Sequence, residues 1–366
     1  MHHGLTLIIP CYNEAATIRQ CVERCLALKD HGIDLELLIV DDCSRDDSVQ
    51  IIQQLQKEHP EITLYRHARN MGKGAALRTG FLEASKEYVG IQDADMEYNP
   101  LDYLELIQPL AAGQADVVYG SRYLKKSPRR VLHFWHSLMN RGLTAFSNLF
   151  TDLDLTDMET CYKLFRRETI RELAPHLREN RFGFEPEVTC LVSRGRKRVC
   201  ECAIDYSPRT YEEGKKIGWK DGLAALYCIL HYGAPFAPAP MQFLIYFIIG
   251  TVCAIANIAA FALFVGLGMS IVPAVVIAFI MAALLNYLLC LAILFRHKSR
   301  WSGPRELLAY GAVVAIMCVA DVAMTLGFSW LGCVPVVSKA LSSFIGFIGN
   351  FLLRKFAVFA TPKSAL

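Results

Sequence analysis

Four long apolar runs in the last third of the chain restrict its fold more than any other feature of the sequence. Each run is long enough to cross roughly 30 Å of hydrocarbon as an α-helix. The chain as a whole is 53% hydrophobic, an apolar excess that is typical of membrane proteins. The sequence therefore predicts an all-α transmembrane domain of four helices, with spans at about residues 241–265, 272–295, 307–330 and 334–359.

Basic residues lie between the second and third runs, within residues 296–305, whereas residues 266–270 and 332–333 carry no charge. Because short cytoplasmic loops are enriched in Lys and Arg, we expect the basic loop, the N-terminal domain and the C-terminus to face the cytoplasm. Asp321 lies inside the third run. An acid at this depth is either part of a functional site or an interhelical hydrogen-bond partner.

The first 235 residues differ from this tail, since they are charged and alternate between strand and helix patterns. Alternation of apolar strands with helices predicts an α/β fold with a parallel sheet covered by helices on both faces. Ligands of such sheets bind where the strands end at their carboxyl termini. The predicted strands cover residues 5–9, 34–40, 62–65, 88–92, 116–119, 160–165 and 198–206.

Charge and cysteine content limit the class of partner. The net charge is only +3, so the sequence gives no reason to expect nucleic-acid binding. Cationic residues instead cluster at 125–126, 129–130 and 215–216, a pattern that suits phosphates or anionic lipid headgroups. The 13 cysteines form no disulfide framework, and we expect packed free thiols.

Three acids follow the fourth predicted strand at alternate positions, Asp93, Asp95 and Glu97. In an extended or turn backbone alternate side chains point the same way, so the three carboxylates are expected to face one point. Carboxylate oxygens suit Mg²⁺ or Mn²⁺, and such an ion would bridge a diphosphate and neutralise a departing nucleotide. A solvated acidic turn explains the same short pattern, so the residues alone leave both interpretations open.

Five segments in the N-terminal domain together carry a family resemblance. The chain resembles a family 2 glycosyltransferase of the GT-A fold over roughly residues 4–235. More narrowly, it resembles the polyprenyl-phosphate glycosyltransferases of the dolichyl-phosphate mannose synthase type, and its tail is similar to the GtrA-like membrane domain fused to some members. The segments are residues 8–14 (IIPCYNE), 40–46 (VDDCSRD), 70–74 (NMGKG), 93–95 (DAD) and 120–123 (GSRY).

The resemblance implies that the strand ends bind a nucleotide-diphosphate sugar, a GDP- or UDP-hexose. Asp95 and Glu97 would ligate Mg²⁺ or Mn²⁺. Glu97 stands where the mannose synthases commonly have glutamine, so this chain keeps an oxygen ligand and adds a negative charge. The residues that the resemblance places around the donor nucleotide are Pro10, Tyr12, Glu14, Asp42, Lys73, Asp93 and Lys216.

The resemblance also implies a site for the phosphate of a polyprenyl lipid, dolichyl or undecaprenyl phosphate. Arg122, His136 and Asn140 would surround that phosphate, with His136 and Asn140 standing where the family has arginine and serine. Arg209 matches a basic loop that closes over the donor diphosphate. On this basis Asp95, Arg122 and Arg209 would carry the catalysis.

The function implied by the resemblance is inverting transfer of a hexose, mannose or glucose, to polyprenyl phosphate at the cytoplasmic face of a membrane. Residues 1–218 would form the catalytic domain and residues 241–366 the membrane domain, and homo-oligomers are compatible with both. Residues 219–240 would be an amphipathic helix and linker at the bilayer interface, although a core helix explains the pattern equally well.

Two other functions remain as alternatives. A processive polysaccharide synthase usually carries a Gln-x-x-Arg-Trp motif before its membrane spans, whereas here Arg300-Trp301 follows the second run and lacks the glutamine. A non-catalytic flippase or transporter of lipid-linked sugars would not need intact Asp93, Asp95 and Arg122. A processive synthase would make a polymer and a flippase or transporter would make no product, so a product assay distinguishes both from the transferase.

Overall fold

A computed structural model gives the structure of the chain. It divides into two compact units, Met1–Gly233 and a second unit that begins at Ala234. The described residues are 3–124, 131–208, 219–295 and 304–333, together with positions 341, 345, 348–349, 351–353 and 355.

Strands and helices alternate in the first unit, as the sequence pattern predicts. The strands are β1 (His3–Cys11), β2 (Ile33–Asp41), β3 (Ile62–Arg66), β4 (Tyr88–Ile91), β5 (Val117–Ser121), β6 (Lys163–Arg166) and β7 (Val199–Ala203). The helices are α1 (Ile18–Leu26), α2 (Ser48–Glu58), α3 (Lys73–Glu83), α4 (Tyr103–Ala111), α5 (Phe134–Thr151), α6 (Arg167–Leu173), α7 (Phe184–Arg194) and α8 (Trp219–Gly233).

The strands form one seven-stranded sheet in the order β3-β2-β1-β4-β6-β5-β7. β1, β2, β3 and β4 pair in parallel, and so do β5 and β7. β6 runs antiparallel to both β4 and β5, so the prediction of a wholly parallel sheet was wrong at this strand. The alternation of elements does not encode strand direction, and β6 returns between two strands that precede it in the sequence. The sheet is therefore mixed.

Buried apolar residues explain why these segments form strands and helices. In β1 the side chains of Leu5, Leu7, Ile8 and Ile9 are all 0% exposed, as expected for a central strand covered on both faces. Helix α1 buries residues at positions 18, 21, 22 and 25, the spacing of one helix face. The sheet with its helices on both sides thus encloses the core of the first unit.

Helices make up the described part of the second unit. They are α9 (Ala239–Gly266), α10 (Ile271–Leu289), which continues as a π-helical turn over Cys290–Phe295, and α11 (Pro304–Trp330). Among the described residues one helix, Ala239–Phe264, is long and apolar enough to cross a membrane by length and composition. The first three predicted spans coincide with helices. The fourth, at 334–359, lies outside the described residues apart from isolated positions, so the count of four spans stays a prediction.

Two helical glycines give opposite stability predictions. A Cβ on Gly80 would collide with the buried side chain of Ile8, whereas a Cβ on Gly142, in the exposed part of α5, would meet nothing within 4 Å. Alanine favours a helix by about 1 kcal/mol over glycine, while overpacking a core costs about 1–3 kcal/mol. We expect Gly80→Ala to lower the melting temperature of the purified chain in detergent and Gly142→Ala to raise it. Equal shifts in both variants would contradict the packing of α3 on β1.

A candidate donor and acceptor site at the carboxyl edge of the sheet

The carboxyl edge of the sheet is where the parallel strands end, and the loops after β1 and β2 are bonded to each other there. The backbone N–H of Asn13 donates to Ser44 Oγ at 3.0 Å, and Asn13 Oδ1 accepts from Arg45 N–H at 2.8 Å. The N–H of Glu14 donates to Ser48 Oγ at 2.9 Å. Helix α2 begins at Ser48, directly after the second of these loops.

Three residues expected to hold the base and ribose lie on this bonded surface. Tyr12 is 37% exposed, whereas Pro10 and Glu14 are partly buried. Glu14 Oε2 accepts a hydrogen bond from Thr17 Oγ1 at 3.0 Å, which ties this carboxylate to the residue directly before α1. Tyr12 therefore offers the most accessible surface of the three to a ligand.

Asp42, expected to contact the base, binds the loop that precedes α3. Asp42 Oδ1 accepts from the N–H of Met71 at 2.8 Å, and Oδ2 accepts from the N–H of Gly72 at 2.7 Å. His67 Nδ1 lies 2.7 Å from Asp42 Oδ1. Asp42 is only 3% exposed. Gly72 has a φ of 97°, and a Cβ there would collide with the carbonyl oxygen of Asn180. Asp42 thus fixes a loop conformation that only glycine adopts easily.

Lys73, at the start of α3, lies between two acids. Its Nζ is 3.0 Å from Asp93 Oδ1 and 3.3 Å from Glu185 Oε1. Burial alone lowers the pKa of Lys73, but Asp93 and Glu185 outweigh that effect and raise the pKa well above its ordinary value. The ammonium is therefore charged throughout the neutral range. Sequence reasoning named Lys73 and Asp93 but missed Glu185, which lies at the start of the distant α7.

The three acids of the predicted cluster do not converge on one point. Asp93 faces Lys73, while Asp95 Oδ1 accepts from the backbone N–H of Glu97 at 3.2 Å. Met96 has a φ of 68°, so these residues form a turn in which the alternation of an extended strand fails. Within the described ranges, no group of three or more His, Cys, Asp or Glu residues is placed to hold a metal ion. The expected metal pair, Asp95 and Glu97, lies together on the turn.

A tyrosine that sequence reasoning missed reaches the same turn. Tyr206 follows β7, and its hydroxyl donates to Glu97 Oε2 at 2.8 Å. The backbones also join here, since Ser207 N–H donates to the carbonyl of Glu97 at 2.8 Å and Tyr98 pairs with Tyr206 in an antiparallel bridge. Burial and the charge of Glu97 raise the pKa of Tyr206, so the phenol remains a proton donor at neutral pH.

Arg122, expected at the lipid phosphate, forms a forked pair with Asp157. Its Nε and Nη2 donate to Oδ2 and Oδ1 of Asp157, each at 2.7 Å, and its backbone N–H donates to Oδ2 at 3.0 Å. The guanidinium carbon lies 5.2 Å from the centre of the Tyr206 ring. Asp157 is held in turn by Glu201, whose Oε1 accepts from the backbone N–H of Asp157 at 3.3 Å. Asp157 and Glu201 were both missed from the sequence.

The remaining predicted acceptor residues lie on α5. Asn140 Nδ2 is 3.4 Å from His136 Nδ1, so the two side chains share one face of the helix. Tyr123 links this helix to β5, since its hydroxyl donates to the carbonyl of Ser137 at 3.5 Å. The structure thus brings Arg122 and α5 into one region through Tyr123. Arg209 and Lys216, expected over the diphosphate, lie outside the described residues.

Comparison with protein-family models divides the chain as its composition does. Residues 6–174 match the model described as glycosyl transferase family 2, and residues 245–359 match the model described as the GtrA/DPMS transmembrane domain. A solved structure of glucosyl-3-phosphoglycerate synthase from Mycobacterium tuberculosis, with Mn²⁺ and uridine diphosphate, is also similar. It has a TM-score of 0.48 and 17% sequence identity, and the match covers 63% of this chain and 80% of that one.

Curated relatives match the catalytic part. Dolichyl-phosphate beta-glucosyltransferase ALG5C of Trichomonas vaginalis is 25% identical over 55% of this chain and 63% of its own length. The dolichyl-phosphate beta-glucosyltransferase of Drosophila melanogaster is 27% identical over 56% and 67%, and glycosyltransferase AglD of Haloferax volcanii is 24% identical over 56% and 33%. The chain thus spans less than two thirds of the length of the first of these relatives. Residues 6–174 thus carry a glycosyl transferase family 2 domain, and residues 245–359 carry a GtrA/DPMS transmembrane domain.

Proposed function

We propose that this protein transfers a hexose, glucose or mannose, from a nucleotide-diphosphate sugar to a polyprenyl phosphate, with inversion at the anomeric carbon. The observation that carries the proposal is the union in one chain of a family 2 glycosyl transferase domain and a GtrA/DPMS transmembrane domain. Relatives named as dolichyl-phosphate beta-glucosyltransferases support a lipid phosphate as acceptor and glucose as the first sugar to test.

The chemistry of the acceptor limits what the protein must supply. A phosphate monoester is already ionised near pH 7, so its oxygen attacks the anomeric carbon without a general base. The nucleoside diphosphate then leaves with the electron pair of the broken glycosidic bond. The protein therefore contributes mainly by positioning the two substrates and by neutralising charge on the leaving group.

Asp95 and Glu97 would hold the divalent cation. Their hard oxygen ligands suit Mg²⁺ or Mn²⁺, and Mg²⁺ at nucleotide sites is usually held by one or two carboxylates and completed by water and phosphate oxygens. A pair of acids is therefore sufficient, and Glu97 is already oriented by the Tyr206 hydroxyl. When bound, the cation would offset the negative charge on the departing diphosphate.

Two fixed cations would act beside that pair. Lys73 keeps its charge between Asp93 and Glu185, at the start of a helix whose N–H groups favour anions. Arg122 gives Asp157 one N–H from each of two nitrogens, and a guanidinium has five N–H groups in a fixed plane. We assign Lys73 to the donor side and the remaining donor capacity of Arg122 to the acceptor phosphate.

Exposed apolar side chains on the first unit support a location at a membrane surface. On α5, Phe134 is 68% exposed and Trp135 is 74% exposed, and on α8 Leu223 and Tyr227 are 56% and 60% exposed. Large apolar and aromatic side chains of this kind suit the headgroup region of a bilayer. We assign α5 and the segment 219–240 to that interface, where the polyprenyl chain is confined and its effective concentration is raised.

The assay that tests the function follows the label of a radioactive nucleotide sugar. Membranes containing the full chain are given UDP-glucose or GDP-mannose with polyprenyl phosphate, and the products are extracted. We expect label in the chloroform phase that requires added polyprenyl phosphate. Label in an aqueous polymer would instead support a processive synthase, and absence of turnover with any nucleotide sugar would support a flippase or transporter.

Asp95→Ala tests the metal pair. Loss of one carboxylate ligand should lower transfer by about 100-fold or more, while membrane insertion stays intact. Asp34→Ala is the control, because Asp34 pairs with Lys86 at the opposite edge of the sheet, and its rate should match the wild type. Metal-dependent turnover that persists at the wild-type rate in Asp95→Ala would exclude Asp95 as a ligand.

Arg122→Lys tests the acceptor assignment. Lysine keeps the positive charge beside Asp157 but loses the planar fork, so we expect a higher KM for polyprenyl phosphate and a rate lower by about 100-fold. Arg198→Lys changes a similar forked pair, with Asp116, that is exposed on the surface, and it should leave both constants unchanged. A wild-type KM for polyprenyl phosphate in Arg122→Lys would contradict the assignment.

A further inference from the structure

Tyr206 contacts both Glu97, which the proposed function assigns to the divalent cation, and Arg122, which it assigns to the acceptor phosphate. Its hydroxyl donates to Glu97 Oε2 at 2.8 Å, and its ring lies 5.2 Å from the guanidinium carbon of Arg122. We propose that Tyr206 is a positioning residue that holds the Glu97 carboxylate in place for a divalent cation and the nucleotide diphosphate. This inference rests on the proposed function, because it names how one ligand of that site is oriented.

The position of Tyr206 is fixed by contacts other than the one to Glu97. Its backbone pairs with Tyr98 in an antiparallel bridge, and the next residue, Ser207, donates its N–H to the carbonyl of Glu97. The ring of Tyr98 stacks in turn on the buried ring of Tyr162, with centroids 4.6 Å apart. The phenol hydroxyl is therefore presented from a rigid base.

Glu97 needs such a partner more than a shorter acid would. A glutamate side chain has one more rotatable bond than an aspartate, so ordering it costs more conformational entropy. A hydroxyl donor to one oxygen of a carboxylate is a charge-assisted hydrogen bond, and groups that orient a metal ligand in this way commonly change metal affinity by about 10–100-fold. The Tyr206 hydroxyl on Oε2 would therefore orient Glu97 before the cation arrives.

Substitutions separate the hydroxyl of Tyr206 from its ring. Tyr206→Phe removes the bond to Glu97 and the contact of the hydroxyl with Arg122, and it keeps the ring beside Arg122. Tyr123→Phe is the matched control, because Tyr123 also has its ring near Arg122, at 5.9 Å, but among the described residues its hydroxyl bonds to the carbonyl of Ser137 and to no acid. The two variants therefore differ in whether the lost hydroxyl contacted a candidate metal ligand.

The measurement is the affinity of the full chain in detergent for Mn²⁺, read from the electron paramagnetic resonance signal of free Mn²⁺, with UDP present and GDP in a parallel series. We expect Tyr206→Phe to weaken Mn²⁺ binding by about 10-fold and Tyr123→Phe to leave it unchanged, with melting temperatures equal to the wild type. In a Glu97→Ala background, Tyr206→Phe should add no further loss, because the group that it orients is already gone.

Each other outcome counts against the proposal. Equal Mn²⁺ affinity in the wild type and Tyr206→Phe would overturn the positioning role and leave the transferase proposal intact. A further 10-fold loss from Tyr206→Phe in the Glu97→Ala background would show that the hydroxyl acts elsewhere. A wild-type chain that transfers hexose but binds no Mn²⁺ with either nucleotide would overturn the metal pair and Tyr206 with it. Absence of transfer in the wild type would overturn the function itself.

Discussion

An ammonium group between two carboxylates joins three distant segments at the carboxyl edge of the sheet. Lys73 begins α3, Asp93 follows β4 and Glu185 lies in the first turn of α7, and their charged groups are 3.0–3.3 Å apart. Removing one partner of a buried pair costs about 3–5 kcal/mol, and less where the pair is partly exposed, as Lys73 and Asp93 are. The contact positions the Lys73 ammonium and fastens α7 to the carboxyl edge. Substrate binding and folding therefore depend on the same three groups.

The direction of β6 decides which other residues reach this edge. Because β6 is antiparallel to its neighbours, it begins at the edge where β4 and β5 end. The loop that precedes it, with Asp157, is therefore brought beside Arg122 at the end of β5. In a wholly parallel sheet the same loop would lie at the opposite edge. The wrong prediction for one four-residue strand explains why sequence reasoning missed the partner of Arg122.

Much of the edge was predictable because it depends on local pattern. Apolar runs gave the strands, and polar residues at their ends, such as Tyr12, Asp42 and Lys73, do lie at the carboxyl edge. The partners of these residues were not predictable, because a buried charge finds its counterion through the tertiary fold. Glu185 reaches Lys73 and Tyr206 reaches Glu97, yet the local sequence around each carries no sign of the contact.

Each of the two cations assigned to substrate phosphates faces at least one acid, so the acids beside them outnumber these cations. Lys73 is matched by Asp93 and Glu185, and Arg122 is matched by Asp157. On the turn, Asp95 accepts a hydrogen bond from the Glu97 N–H, and Glu97 accepts one from the Tyr206 hydroxyl. A divalent cation would reduce this excess of negative charge, which would favour the approach of an anionic diphosphate.

The left-handed turn at Met96 has a consequence for how this kind of site evolves. A residue with a side chain costs about 1–2 kcal/mol in that conformation, yet the chain keeps methionine where glycine or asparagine would relieve the cost. The turn is held by hydrogen bonds of its neighbours, from the Glu97 N–H to Asp95 Oδ1 and from the Ser207 N–H to the Glu97 carbonyl. Its conformation therefore depends on those bonds more than on the residue at position 96. Substitution of the residue at the turn should therefore be tolerated more readily than substitution of the tyrosine that braces it.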